Sequence, residues 1–407
     1  MTPPLTVDAL RADPNPLAAH YSRFRVGERL LLTGHSHQAW PDAAAAGQLA
    51  ALEDAALLVD DKWAAAFAVA DRVRDGLRVL LDDANAQLAF GSNTHELVLR
   101  FLSAVDLRRR PRLVTSDGEF HTLRRQLDRL AEEGVDLAKV PALPADTLAR
   151  RLAAQVNDRT AAVLVSAVLF ETSAIVPGLG DLAATCAAVG TELLVDAYHA
   201  LGVVPMSVPG QGLDSAWVVG GGYKYLQLGE GNCFLRLPAA ADGLRPVITG
   251  WYAEFATRSD RTANVSYGSG ADRYAGSTYD PTSHYRAAAV LDFHAAAGLR
   301  MPLLRAVSQH QTGLLAACFD ALDLPDHVVT RNRDTPRSAF GGFLALRSPH
   351  ADVLRAGLAD RGVRTDSRGE YLRFGPAPYQ SDRQLADAMT ALGEVVAAFL
   401  GDRPTGA

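Results

Sequence analysis

Alanine-rich stretches of helical composition alternate along the chain with short apolar runs, and that alternation predicts an α/β fold. The runs AAVLVS (Ala161 to Ser166), ELLVD (Glu192 to Asp196) and AWVVG (Ala216 to Gly220) read as strands of a mostly parallel sheet buried on both faces. Between the first two, Gly180 to Val189 reads as a helix, and NCFLRL (Asn232 to Leu237) reads as a further, returning strand. After about Pro281 the pattern shifts to longer helices. They are followed by FGGFLALR (Phe340 to Arg347), another helix and a short strand YLRF (Tyr371 to Phe374). This predicts a large unit over 56–282 and a smaller α+β unit built from 283–407, to which 1–55 contributes. Neither an internal repeat nor a low-complexity linker interrupts the pattern.

Composition narrows the function classes. The 407 residues are 48% hydrophobic and 21% charged, enough to bury a large core. A net charge of -6 leaves no basic footprint and argues against nucleic acid as the main partner. The N-terminus lacks a basic segment followed by an apolar one, and the longest apolar run, AAVLVSAVLF, is too short to span a bilayer. A soluble cytoplasmic protein with no membrane partner is expected. Cys186, Cys233 and Cys318 are odd in number, far apart and not near histidines at metal spacing, so neither a disulfide framework nor a metal site is predicted.

Ligands of an open parallel sheet gather at strand ends, and the residues there are polar. Asp196 ends ELLVD, with His199 three residues on; Ser166 ends AAVLVS; Lys224 follows AWVVG in VVGGGYKYLQLGEGN. A lysine buried at such an end loses hydration, its pKa falls, and the neutral amine can form a Schiff base with an aldehyde. Pyridoxal phosphate fits this, with a carboxylate such as Asp196 set against the ring nitrogen so that the ring acts as an electron sink. Taken alone, the two residues would read as a structural ion pair. GSNTHELVLRFLSA, from Gly91, adds a helix N-terminus with Ser92, Asn93 and Thr94 before it and Glu96 in capping-box position, a cradle for an anion or an ordinary cap. TSDGEFHTLRRQ adds Phe120, an aromatic just after a strand and able to lie on a pyridine ring or simply to fill core.

These segments resemble the class V aminotransferase family of fold-type I pyridoxal phosphate enzymes, and within it kynureninase. The resemblance is carried by GYKYLQLGEGN around Lys224, by Asp196 and His199 in DAYHALG, by ITGWYAEF with Trp251, and by GVRTDSRGEYLRFGPAPY from Gly362 to Tyr379. It implies that Lys224 holds the cofactor and shuttles the α-proton, that Asp196 pairs with the ring nitrogen, and that His199 and Ser166 border the ring while Phe120 stacks on it. Asn93, Thr94, Tyr223 and Trp251 are implied to hold the phosphate, Thr122 is implied as a further cofactor contact, and Tyr223 is implied with Lys224 and Asp196 as catalytic. Thr278 is implied to reach a neighbouring subunit's phosphate, so a homodimer is expected. Arg373 is implied to clamp the substrate carboxylate, with its planar fork of donors, and His35 and Ser36 to face the substrate.

Departures from the kynureninase pattern fall in the substrate shell. Gly34-His35-Ser36-His37-Gln38 replaces Gly-Asn-Ser-Leu-Gly, Leu123 stands where the family has an acidic residue, and FETSA (Phe170 to Ala174) replaces Tyr-Thr-Gly. His35, His37 and His121 read equally as substrate contacts or packed loop residues; Arg124 and Arg125, like Arg108 to Arg110, read rather as a solvated face. The leading expectation is hydrolytic cleavage of kynurenine or a related substrate. The alternatives are a class V aminotransferase, a β-lyase or desulfurase-type enzyme on another amino acid, and a non-catalytic binding protein of the same fold. A nucleotide-binding reading of Gly220 to Gly222 lacks both G-x-G-x-x-G and Walker A patterns.

Overall fold

A computed structural model describes residues 5–255 and 264–401. The outermost parts of the predicted units (1–4 and 402–407) and the segment 256–263 lie outside the described residues.

A seven-stranded sheet forms the centre: β1 (Gln87–Gly91), β2 (Arg112–Ser116), β3 (Asp136–Val140), β4 (Thr160–Ser166), β5 (Glu192–Asp196), β6 (Trp217–Gly221) and β7 (Cys233–Leu237). Their spatial order is β1-β7-β6-β5-β4-β2-β3. All neighbours run parallel except at β7, which is antiparallel to both β1 and β6. The central strands are apolar between their polar ends because each face of the sheet has its own core. Along β4, Val163 and Val165 join one cluster while Ala162 and Leu164 join the other; Leu193 and Val195 of β5 split in the same way from Leu194. Alternation of polar and apolar residues is therefore absent where burial is two-sided.

Helices α1 (Ala43–Leu58), α2 (Lys62–Leu81), α3 (Thr94–Ala104), α4 (His121–Glu132) and α5 (Leu179–Ala188) precede or cover this sheet. Helices α6 (Thr282–Ala296) and α7 (Met301–Ala321) follow it, and α6 packs back on α1 and α2. A smaller antiparallel sheet then forms from β8 (Thr330–Arg331), β9 (Leu344–Arg347), β10 (Asp366–Arg368) and β11 (Tyr371–Phe374) in the order β10-β11-β9-β8. Helices α8 (Ala351–Asp360) and α9 (Asp382–Gly401) share a third core with it, including Leu354, Leu372, Phe374 and Leu385. Leu30–Leu31 pairs in parallel with Val363–Arg364, which ties the N-terminal segment to this sheet.

The predicted strands at 161–166, 192–196, 216–220 and 232–237 are found within one residue of the observed ends, as is the helix of 180–189. At 340–347 the strand is confined to Leu344–Arg347, because Gly341 and Gly342 lie against Ser173 and Tyr225. Among the described residues no single helix is long and apolar enough to cross a membrane.

Candidate active site

The carboxyl ends of the parallel strands and the start of β7 meet along one edge of the large sheet. Register places Ser166 beside Asp196, Asp196 beside Val219, and Cys233 beside both Gly221 and Gly91. After β6 the chain turns sharply, with the Leu228 N–H donating to the Gly222 carbonyl at 2.9 Å and that of Gln227 to the Lys224 carbonyl at 3.0 Å. A Cβ at Gly221 would lie 2.4 Å from the Tyr198 hydroxyl and 2.6 Å from Cys233 Sγ, so glycine is required for this approach.

That turn points Lys224 into a cleft of roughly 1070 Å³ at the sheet edge. Asn93, Thr94, Phe120, Thr122, Ser166, Asp196, His199, Tyr223 and Lys224 line it together. Nine of the fourteen residues expected at the site thus converge on one cavity.

The chain has three lysines, Lys62, Lys139 and Lys224. Lys139 pairs with Asp128 at the surface, and Lys62 opens α2 beside the Trp63 ring; Lys224 alone among them is buried. Burial pushes the Lys224 amine down to about 7, opposed by the charge of Asp196 and assisted by that of Arg373. Its Nζ lies 2.7 Å from His199 Nε2, 4.6 Å from the centre of the Tyr198 ring and 5.4 Å from that of Phe120. Burial, with Lys224 adding to it, holds His199 well below its usual range, so the imidazole is neutral. Asp196 is raised by burial and lowered by the Tyr198 N–H, which donates to Oδ1 at 2.9 Å. The amine is neutral above its pKa, so the rate at which added aldehydes react with Lys224 should rise through about pH 7 and level off above it. A rate still climbing toward pH 10, the range of an unperturbed lysine, would contradict the assigned burial.

Asn93 caps α3, as expected: its Oδ1 accepts from the Glu96 N–H at 2.9 Å, while Glu96 reaches back to the Ser92 N–H at 3.0 Å. Thr94 and His95, in the first turn of α3, line the same cleft, and a helix N-terminus there suits an anion. Phe120 sits immediately before α4, its ring edge-on to Phe170 at 5.4 Å.

Arg373, on β11, is buried and paired across the strands with Asp366 of β10. Nε donates to Asp366 Oδ1 at 2.7 Å, Nη2 also bonds Asp366, and Nη1 bonds the Phe170 carbonyl. Three of five guanidinium N–H groups are used in this way, and one on each terminal nitrogen remains for a carboxylate. Burial works against the Asp366 charge, but His35 and Arg373 hold that carboxyl well below its usual range. His35 is fully buried with Nε2 3.4 Å from Asp366, and burial pushes it down to about 4, so it is neutral at pH 7. Ser36 contacts His37, whose ring stacks on Tyr223 at 4.8 Å between centres.

Two expected cofactor residues lie elsewhere. Trp251 is 42% exposed, its Nε1 donates to the Thr278 hydroxyl at 3.2 Å, and neither residue lines the Lys224 cleft of its own chain. Trp251 packs on its near chain neighbours Tyr252 and Phe255 and does not join Asn93 and Thr94 of its own chain. Arg124 and Arg125 are exposed, as expected, yet both stand at the cleft rim. His121 packs on Phe120 and Phe170. Leu123 is core, packed behind Asp196. The structure adds residues that sequence reasoning passed over: Tyr198, Asp366, Cys233 and a wholly buried Glu119 bonded to Ser116 and Ser166.

No protein-family model and no curated protein sequence matches the chain. Solved structures do. A variant of C-DES with glycine covalently linked to its PLP cofactor superposes with a TM-score of 0.79 at 15% identity, over 93% of this chain and 99% of that one. The apo cysteine desulfurase of Thermococcus onnurineus NA1 gives 0.76 at 15% identity, over 95% and 98%. The cysteine desulfurase CsdA of Escherichia coli gives 0.73 at 16% identity, over 95% and 98%. The chain has the fold of the fold-type I pyridoxal-phosphate-dependent transferases.

Proposed function

We propose that the protein is a pyridoxal-phosphate-dependent enzyme that acts on an amino acid, and that its reaction is β-elimination of a sulfur leaving group. The observation that carries the cofactor is the burial of Lys224, the one buried lysine of the chain's three, in a cleft with Asp196 and a helix N-terminus. The residues present fit the group: Lys224 for the aldehyde, Asp196 for the ring nitrogen, Phe120 and His199 for the ring faces, and Asn93 and Thr94 with the α3 amides for the phosphate. When bound, pyridoxal phosphate supplies an electron sink for the bond broken at the substrate's α-carbon.

The chain's own groups then have definite tasks. Arg373 binds the substrate carboxylate through its two remaining N–H groups. The Lys224 amine, depressed to about 7, removes the α-proton, and neutral His199 at 2.7 Å orients it. Phe120, Phe170 and Tyr223 keep water from the wall of the cleft.

Sulfur chemistry is favoured by the solved structures of similar fold, which include cysteine desulfurases and a cystine C-S lyase caught with cysteine persulfide. The chain's thiols favour the lyase route over a protein-bound persulfide. Cys233 lines the cleft, but burial pushes its thiol up to about 12, and it is bonded to the Tyr198 hydroxyl at 3.7 Å. Cys186 is likewise buried and raised to about 12, and Cys318 is on α7, outside the cleft. A thiol so far above neutrality is a poor nucleophile. Incubation with cystine or S-substituted cysteines should give pyruvate, ammonia and the thiol or persulfide, and Cys233→Ala should retain turnover. Loss of turnover in Cys233→Ala, or sulfur retained on the protein, would refute the lyase route.

A second reading, hydrolytic cleavage of kynurenine, is supported by the match of GYKYLQLGEGN and GVRTDSRGEYLRFGPAPY to the kynureninase pattern. Products separate the two: alanine with an anthranilate from one, pyruvate from the other. The exposed Trp251–Thr278 pair supports a homodimer in which it serves the partner's site; sedimentation should then report twice the chain mass, and a monomer would refute it.

A further inference from the structure

Glu119 is a buried carboxyl to which the proposed reaction gives no task. It lies between the end of β2 and the start of α4, 1% exposed. The Ser116 hydroxyl donates to its Oε1 at 2.5 Å and the Ser166 hydroxyl to its Oε2 at 2.6 Å. Among the described residues no lysine, arginine or histidine forms an ion pair with it. The charge that faces it comes from Asp196 on β5, which opposes its ionisation, and Lys224 and His199 line the same cleft as Asp196.

Ser166 links this carboxyl to the cleft, since it lines the cavity and pairs in register with Asp196. A serine hydroxyl has one hydrogen to give. While Glu119 is ionised, it is acceptor-only, so Ser166 must aim that hydrogen at it and present lone pairs to the cleft. Once Glu119 carries a proton it can donate to Ser166, whose own hydrogen is then free to turn into the cleft. We propose that Glu119 is a positioning residue whose proton decides whether Ser166 offers the cleft a hydrogen-bond donor or an acceptor.

Two observations make the exchange usable. Burial pushes Glu119 up to about 7, with Asp196 adding to the effect against the two serine hydrogen bonds, so both states are populated near neutrality. The network also stands at the ends of β2, β4 and β5, which are adjacent in the sheet, so no backbone movement is needed.

The consequence for bound cofactor rests on the pyridoxal phosphate reading: a donor at Ser166 would favour negative charge on a group held in the cleft, and an acceptor would disfavour it. The visible spectrum of the loaded protein should therefore change with pH around a midpoint near 7. In Glu119→Gln that midpoint should vanish or move by about one unit or more. Ser166→Ala should do the same, and the double variant should match either single one. A Glu119→Gln protein that titrates as the parent does would overturn the proposal, as would additive effects of the two substitutions.

A second measurement needs no cofactor. In the infrared spectrum of the cofactor-free protein, a buried carboxylic-acid C=O band should grow as pH falls through about 7, disappear in Glu119→Gln, and change frequency in Ser166→Ala. A band absent from the parent, or unmoved by Ser166→Ala, would overturn the coupling. If no variant takes up cofactor, the proposed function fails, while the infrared result still decides whether Glu119 and Ser166 share this proton.

Discussion

Replacing Lys224 by alanine should cut turnover by about a thousandfold or more, the loss expected when one group serves as both nucleophile and proton carrier. The variant should still fold. It removes a buried amine that burial has already pushed down to about 7, so thermal melting should hold or rise near neutral pH while activity is lost. That pairing of an unchanged melt with lost turnover separates a reacting lysine from a structural one. If Lys224 were half of an ion pair with Asp196, its removal would instead leave a buried carboxylate uncompensated and lower the melting temperature. Retained turnover would also sink the assignment.

Arg373→Leu should have the second-largest effect. It should raise KM for the amino acid and lower kcat/KM by about a hundredfold or more, the range set by removing one partner of a buried, hydrogen-bonded charge pair. Part of the damage will be to stability, because Asp366 loses the guanidinium that holds its carboxyl ionised. Arg373→Lys distinguishes the two contributions. It keeps a positive charge beside Asp366 but not the two terminal N–H groups, so the melting temperature should recover while KM stays high. Recovery of KM along with stability would mean that Arg373 serves only to pair with Asp366.

The central strands were legible because both faces of the sheet are buried, which gives 161–166, 192–196 and 216–220 unbroken apolar interiors. The edge strands were not. β1 begins with exposed Gln87, and β3, DLAKV, is half-buried along most of its length, so neither stands out from a loop. The strand Asp366–Arg368 is three charged or polar residues whose pairing with β11 is set by tertiary contact rather than by local pattern.

At the site the same contrast holds. Asp196, Lys224 and Ser166 could be found because each directly ends or follows an apolar run, and Asn93 because its cap has a sequence signature that the 2.9 Å bond to Glu96 bears out. Glu119 gave no such signal. It lies three positions past the end of a strand, and only the fold brings it to Ser166, forty-seven positions away. Cys186 and Cys233 are buried, and the place of Cys233 on the cleft wall depends on the antiparallel return of β7. That placement bears on the choice between sulfur reactions, which composition and spacing had no means to address.

With three lysines in the whole chain, the attachment point can be tested without ambiguity. Purified protein loaded with pyridoxal phosphate, reduced with borohydride and digested should carry the phosphopyridoxyl group on the peptide that contains Lys224. A label on Lys62 or Lys139 instead, or no label at all, would contradict the account.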